Sequence, residues 1–143
     1  MARIKIIIPG NSLASIDIPV RITDINYGNH LGNDALISII HEARAQWLAS
    51  MNYAELNIEG ASIIMNELAV NYLNESFYGD LLNIELSIGE ISTVSFELYY
   101  NITTKRNDAY ICIAKAKTGV VFFDYQLKKV IPIPEAFTKM IEH

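Results

Sequence analysis

Apolar residues recur along this chain with two different periods, and the change from one to the other marks out its elements. From Ile16 to Thr23, "IDIPVRIT" alternates apolar and polar residues, which predicts a half-buried strand, and "RIKIII" before it suggests an extra edge strand. Pro19 has no N–H to offer a ladder and belongs at an edge or a bulge. Residues 35–51, "ALISIIHEARAQWLASM", contain no Gly or Pro. They space Leu36, Ile37, Ile40, Ala43, Trp47, Leu48 and Met51 three and four apart, which predicts a helix with a wide apolar face. Such a helix has to be covered on most sides.

After the helix the period becomes two and stays there. "SIIMNELAVNYL", "LLNIELSIGEI", "TVSFELYYNITT", "AYICIAKAKTGVVFFD" and "KKVIPIP" read as strands. Turn signals separate them at Tyr78-Gly79-Asp80, Gly89-Glu90 and Asn107-Asp108, with a weaker one near Asp124-Tyr125-Gln126. "AFTKMIEH" closes the chain as a short helix with Pro134 near its first turn. The pattern is α+β, with an antiparallel sheet wrapped around one long central helix. One sheet leaves part of that helix uncovered, and long strand edges favour pairing of two chains.

The 143 residues are 51% hydrophobic and 19% charged, which suits a single domain with a full core. A net charge of -5 and the lack of a basic cluster argue against nucleic acid as a partner. The apolar run near the start is interrupted at Pro9-Gly10, too soon for a membrane span or a signal segment, so a soluble, cytoplasmic protein is expected. Cys112 is the single cysteine and reads as a buried structural thiol. His30, His41 and His143 offer no spacing typical of zinc, and no metal or other cofactor is expected.

Between the first strand and the helix stands "DINYGNHLGND", residues 24–34. Extended into the helix, the segment "TDINYGNHLGNDALISIIHEAR" resembles the strand-to-helix region of hotdog-fold thioesterases of the 4-hydroxybenzoyl-CoA and acyl-CoA thioesterase type. Asp24, Asn26, His30, Leu31, Asn33 and Glu42-Ala43-Arg44 fall in register with it. "MNELAVNYLNESFYGDLLNIEL" is similar to a later segment of that family at Tyr72-Leu73 and Gly79-Asp80, and "VVFFDYQLKKVIPIPEAF" to its closing strand. The chain departs from the pattern where many members carry the second Asp of a pair, here Asn26. It also has Leu36 at a frequent Tyr and Gly32 at the first Asn of an Asn pair.

The resemblance implies a hotdog fold, a homodimer or tetramer with sites between subunits, and hydrolysis of an acyl thioester of coenzyme A or acyl carrier protein. Such chemistry needs a polarised carbonyl and an activated nucleophile. A helix N-terminus near Gly32-Asn33 supplies unpaired N–H groups and a positive dipole end, where one such donor contributes about 3 kcal/mol. His30 is the first candidate for the base, since a free imidazole titrates at about 6.5. Asp24 is placed to orient it, Asn26 to hold water or donate to the thioester oxygen, and Glu42 is a second candidate base.

The plainer reading has His30 and Asn29 satisfying turn backbone, Asp24 ending a strand, and Asn33 with Asp34 capping the helix. Arg44 reads as structural, with an ion pair to Glu42 as one option, and His41 as solvent or interface packing. Of Asn66 and Glu67, period two sends one toward the site and one away. Two rival functions stay open. Asp24-Ile25-Asn26 followed by His30 resembles hotdog enoyl-CoA hydratases, which are lyases, and the amide at Asn26 fits a non-catalytic acyl-binding homologue.

Overall fold

The computed structural model describes residues 4–142. Its elements run β1 (Ser12–Pro19), a 3-10 turn (Ile22–Asp24), α1 (Asn33–Ser50), β2 (Ser62–Tyr72), β3 (Leu81–Ile91), β4 (Ser95–Arg106), β5 (Ala109–Asp124), β6 (Lys129–Val130) and α2 (Glu135–Ile141). All strand pairs are antiparallel, in the order β1-β3-β4-β5-β2, with β6 added to β5. The expected α+β fold, an antiparallel sheet around one long helix, is the fold observed.

Alternation places Leu82, Ile84 and Leu86 of β3 and Phe96, Leu98 and Tyr100 of β4 on the face that meets α1. Ala43 of α1 is fully buried, and its small side chain permits a close approach to the sheet. Phe137 of α2 fills the far end of this core, with its ring 6.0 Å from Trp47, 5.7 Å from Phe96 and 5.5 Å from Phe122. The helix ends where Asn52 turns left-handed (φ 62°) and Tyr53 N–H returns to the Leu48 carbonyl. The face of the helix that the sheet leaves uncovered is mainly polar, with Ser38, His41, Glu42 and Gln46 beside the exposed Ile37.

Several boundaries differ from the sequence reading, among them that of the expected strand "KKVIPIP", which is strand only over Lys129–Val130. β1 begins at Ser12 and stops at Pro19, whose missing N–H sits at the end of an edge strand opposite Leu81. Gly89-Glu90 is no turn: it lies within β3 at a register shift, and the reversal comes at Ser92, whose N–H bonds the Ser95 carbonyl. A Cβ on Gly89 would stand 2.5 Å from the Tyr99 ring, so this glycine serves close packing. Residues 4–8 of the expected extra strand are not strand but are tied down by Asn71, which bonds Ile4 and Ile6 main chain; Arg3 and His143 lie outside the described residues.

Candidate active site

Residues 24–33 turn the chain sharply from β1 into α1. Ile25 and Leu31 bridge, Asn26 N–H bonds the His30 carbonyl at 2.9 Å, and the Asn26 side-chain oxygen accepts from Gly28 N–H at 2.9 Å. That bond fixes the amide and leaves its NH2 with no acceptor among the described residues. The left-handed position is Asn29 (φ 65°), whereas Gly32, the N-cap, has an ordinary extended backbone (φ −68°, ψ 147°). Gly32 N–H is taken by the Asp24 carbonyl at 3.0 Å. The N–H groups of Asn33 and Asp34 have no acceptor among the described residues, so the positive end of an 18-residue helix is open.

His30 is held at this tip. Its Nδ1 lies 3.3 Å from the Leu31 carbonyl, which can only accept, so the bonded tautomer carries its proton on Nδ1 and leaves Nε2 as a base. Nε2 faces Glu75, with 4.0 Å to Oε1. Across from it, Tyr72 ends β2 and donates its hydroxyl to the Asn33 carbonyl at 2.9 Å. Burial, then the charge of Asp34, push the Tyr72 phenol up. Between the tip and the segment 72–76 lies a cavity of about 400 Å³, with Leu31, Leu36, Leu73 and Ile113 as apolar wall and Asn26, His30 and Asn33 as polar rim.

The segment 73–80 is pinned from behind. Leu31 N–H bonds the Ser76 carbonyl at 2.7 Å, and Asp80 accepts from Ser76 Oγ, Phe77 N–H and Arg106. Burial disfavours the Asp80 charge, yet Arg106 and these donors outweigh it and hold the carboxyl below its ordinary range. An ionised Asp80 therefore stabilises the fold above the unfolded carboxylate pKa of about 3.9, and this is lost as pH falls through the lower folded value. Asp80→Asn is expected to cost about 2 kcal/mol at neutral pH. The gap from the native protein should narrow below about pH 4 in urea titrations.

The family model of the thioesterase-like superfamily matches residues 20–141. The chain belongs to that superfamily. A curated relative, the 1,4-dihydroxy-2-naphthoyl-CoA hydrolase of Microcystis aeruginosa (strain NIES-843 / IAM M-2473), is 30% identical over 107 residues, 71% of this chain and 72% of that protein. Among solved structures, a 1,4-dihydroxy-2-naphthoyl-CoA thioesterase from Synechocystis superposes with a TM-score of 0.78 at 21% identity, covering 89% of this chain and 93% of the other. The 4-hydroxybenzoyl CoA thioesterase from Pseudomonas sp. strain CBS-3 gives 0.78 at 14% identity over 92% and 99%. These likenesses establish the hotdog fold, and the expectation of a thioesterase-like hydrolase stands with the family.

Within this thioesterase-like fold, Asn26, His30, Gly32 and Asn33 come together on one cavity, and two of the expected residues do not. Asp24 is buried away from His30, its carboxylate gripped by the Arg21 main-chain N–H and guanidinium across one tight turn. Although burial disfavours its charge, Arg21 holds that carboxyl below its ordinary range. Glu42 points to the exposed side of α1, where it accepts from Gln46 at 2.7 Å beside Asp17 and Arg21. Its position ten residues into the helix carries it away from the tip.

Asn66 and Glu67 both border a separate hollow with Glu97 and Lys117, because a bulge between Met65 and Glu67 breaks the alternation. His41 is exposed and bonds Glu55, while Arg44 is buried and pairs with Glu55 rather than Glu42. Cys112 is half-buried, and burial pushes its thiol up. Among the polar cavity residues, Tyr72, Asn74, Glu75 and Ser76 were not singled out from sequence. Tyr72 was visible only as part of a resemblance, and the other three stand in a loop with no periodicity.

Proposed function

We propose that the protein hydrolyses an acyl thioester of coenzyme A or of an acyl carrier protein in the cavity at the N-terminus of α1. One observation carries this: a histidine nitrogen free to act as base and the residue at the open helix tip, Asn33, whose N–H has no acceptor among the described residues, border the same apolar-walled cavity. The acyl group lies against Leu31, Leu36, Leu73 and Ile113, and the thioester oxygen takes the N–H of Asn33 or Asp34. Water, held by the Asn26 amide, attacks the acyl carbon as its proton passes to His30 Nε2. The C–S bond then breaks, the thiolate takes that proton, and the products are one carboxylic acid and one thiol. The curated relative's name, a naphthoyl-CoA hydrolase, supports a coenzyme A thioester as the first class to try.

We further infer that two copies complete the site. Tyr72 is the last residue of β2, and β2 pairs only with β5 among the described residues, so a second copy laid along its open edge would border the cavity. A dimer or tetramer is the expected state in solution. The lone thiol Cys112 suits the reducing cytoplasm.

A panel of aryl and alkyl acyl-CoA thioesters, with acyl carrier protein thioesters alongside, tests the reaction by release of free thiol. Turnover of at least one substrate is expected, and Asn26→Ala should lower kcat about tenfold to a hundredfold. No thiol release from any substrate overturns the reading. Activity that appears only in Asn26→Asp identifies an acyl-binding homologue instead, and loss of an enoyl-CoA's conjugated absorbance identifies a lyase.

A further inference from the structure

Within the cavity, the position where the resemblance calls for a carboxylate holds Asn26, and the two other candidate acids, Asp24 and Glu42, are elsewhere. One carboxylate does border it: Glu75, in the loop after β2. We propose that Glu75 is the anionic partner of His30, a positioning residue that stabilises the imidazolium formed when water gives up its proton. The inference rests on the thioesterase reading of the cavity.

The local contacts argue for it. Glu75 Oε1 stands 4.0 Å from His30 Nε2, too long for a direct hydrogen bond and close enough for its charge to act on a proton that arrives there. The Glu75 main chain is fixed, since its carbonyl accepts from Arg106 Nη2 at 3.0 Å. The carbonyl of the next residue, buried Ser76, accepts from Leu31 N–H at 2.7 Å, so the loops that carry Glu75 and His30 are bonded to each other.

The other ionisable groups around His30 do not take this role. Asp34, from the first turn of α1, folds back over Gly32, where its Oδ1 lies 2.7 Å from the place a Cβ would occupy. Tyr72, from β2, spends its hydroxyl proton on the Asn33 carbonyl. The neighbouring residue of β5 is Ile113, which does not titrate. Arg106 of β4 reaches only the Glu75 carbonyl and is matched by Asp80, and Asp24 is matched by Arg21. Among the described residues, the charge that faces His30 Nε2 without a cation of its own is thus that of Glu75, and it is negative.

During the reaction the proton moves from water to Nε2 as the new C–O bond forms, and from Nε2 to the departing sulfur as the C–S bond breaks. Glu75 neither gains nor loses a proton. Its charge lowers the energy of the state between these two transfers.

Glu75→Gln keeps size and removes the charge, and a side chain that is 66% exposed can be replaced without unfolding the loop. The decisive measurement is free-thiol release by native protein, E75Q and Glu75→Asp on the same acyl-CoA panel. In E75Q, kcat is expected to fall about tenfold with KM within about twofold, and Glu75→Asp, which keeps the charge, should recover most of the rate. A kcat in E75Q within about twofold of native, or an equal loss in E75Q and Glu75→Asp, overturns the proposal. Lack of turnover by the native protein overturns the thioesterase reading on which it rests.

Discussion

Replacing His30 with alanine is expected to lower kcat/KM for thioester hydrolysis by about 10²- to 10⁴-fold, the usual range for loss of a general base. The fold should barely change. The His30 ring makes one hydrogen bond, at 3.3 Å to the Leu31 carbonyl, whereas its main-chain carbonyl, which accepts from Asn26 N–H and closes the turn, survives the substitution. Thermal unfolding within about 1 kcal/mol of native is therefore expected, alongside the loss of rate. A residual rate is expected from the open N–H groups of Asn33 and Asp34, which His30→Ala leaves in place. Without the imidazole, the rise of rate with pH that a general base confers should also vanish. Free-thiol release over a pH series reports both effects.

The largest expected loss of stability lies elsewhere, in Arg44→Ala, at about 3 kcal/mol or more in denaturant unfolding. Arg44 is a cation carried inward on α1, where its Nη1 donates to the Tyr100 hydroxyl at 3.1 Å and its Nε to Glu55 at 3.3 Å. Tyr100 is fully buried, and its hydroxyl is shared with Thr118 Oγ1 at 2.8 Å, so the guanidinium joins helix and sheet through two polar groups set in an apolar core. Burial, first among its causes, pushes the Tyr100 phenol up and keeps it neutral. Truncation opens a cavity and strips a donor from Glu55, which retains His41. Arg44→Met refills the volume without the charge and should recover part of the loss. Turnover per folded molecule should persist in both variants, because Arg44 does not border the His30 cavity.

What could be read from the chain alone followed the strength of each local signal. Alternation in β3, β4 and β5 is long and buried on one side, so a helix-and-sheet layout was legible from residue type and spacing. The α1 face was legible for the same reason, although residue type overstates its width, because Ile37 is apolar and points outward. Bulges were not legible. The irregularity at Met65/Glu67 turns Asn66 and Glu67 to the same hollow, and the one between Ile88 and Ile91 makes Gly89-Glu90 part of a strand.

At the site, the backbone-forming residues were legible and the charge pairing was not. Asn26, His30, Gly32 and Asn33 are neighbours in sequence, so a single turn gathers them. Closeness along the chain suggests Asp24 beside His30, but Arg21 three residues before it gives a buried carboxylate a shorter route to compensation. Glu75 reaches His30 only through the bond between Leu31 and Ser76, 45 positions apart, and no periodicity announces such a contact.

The proposed reaction requires the tip of α1 to receive the thioester oxygen. A structure of the protein with a non-hydrolysable acyl-CoA analogue, its sulfur separated from the carbonyl by one methylene, checks this requirement. The expected result places the ketone oxygen about 3 Å from the N–H of Asn33 or Asp34, with the acyl chain against Leu36 and Ile113 and His30 Nε2 facing the carbonyl carbon. An analogue bound with its carbonyl away from these amides, while the cavity beside His30 stays without the acyl group, would contradict it.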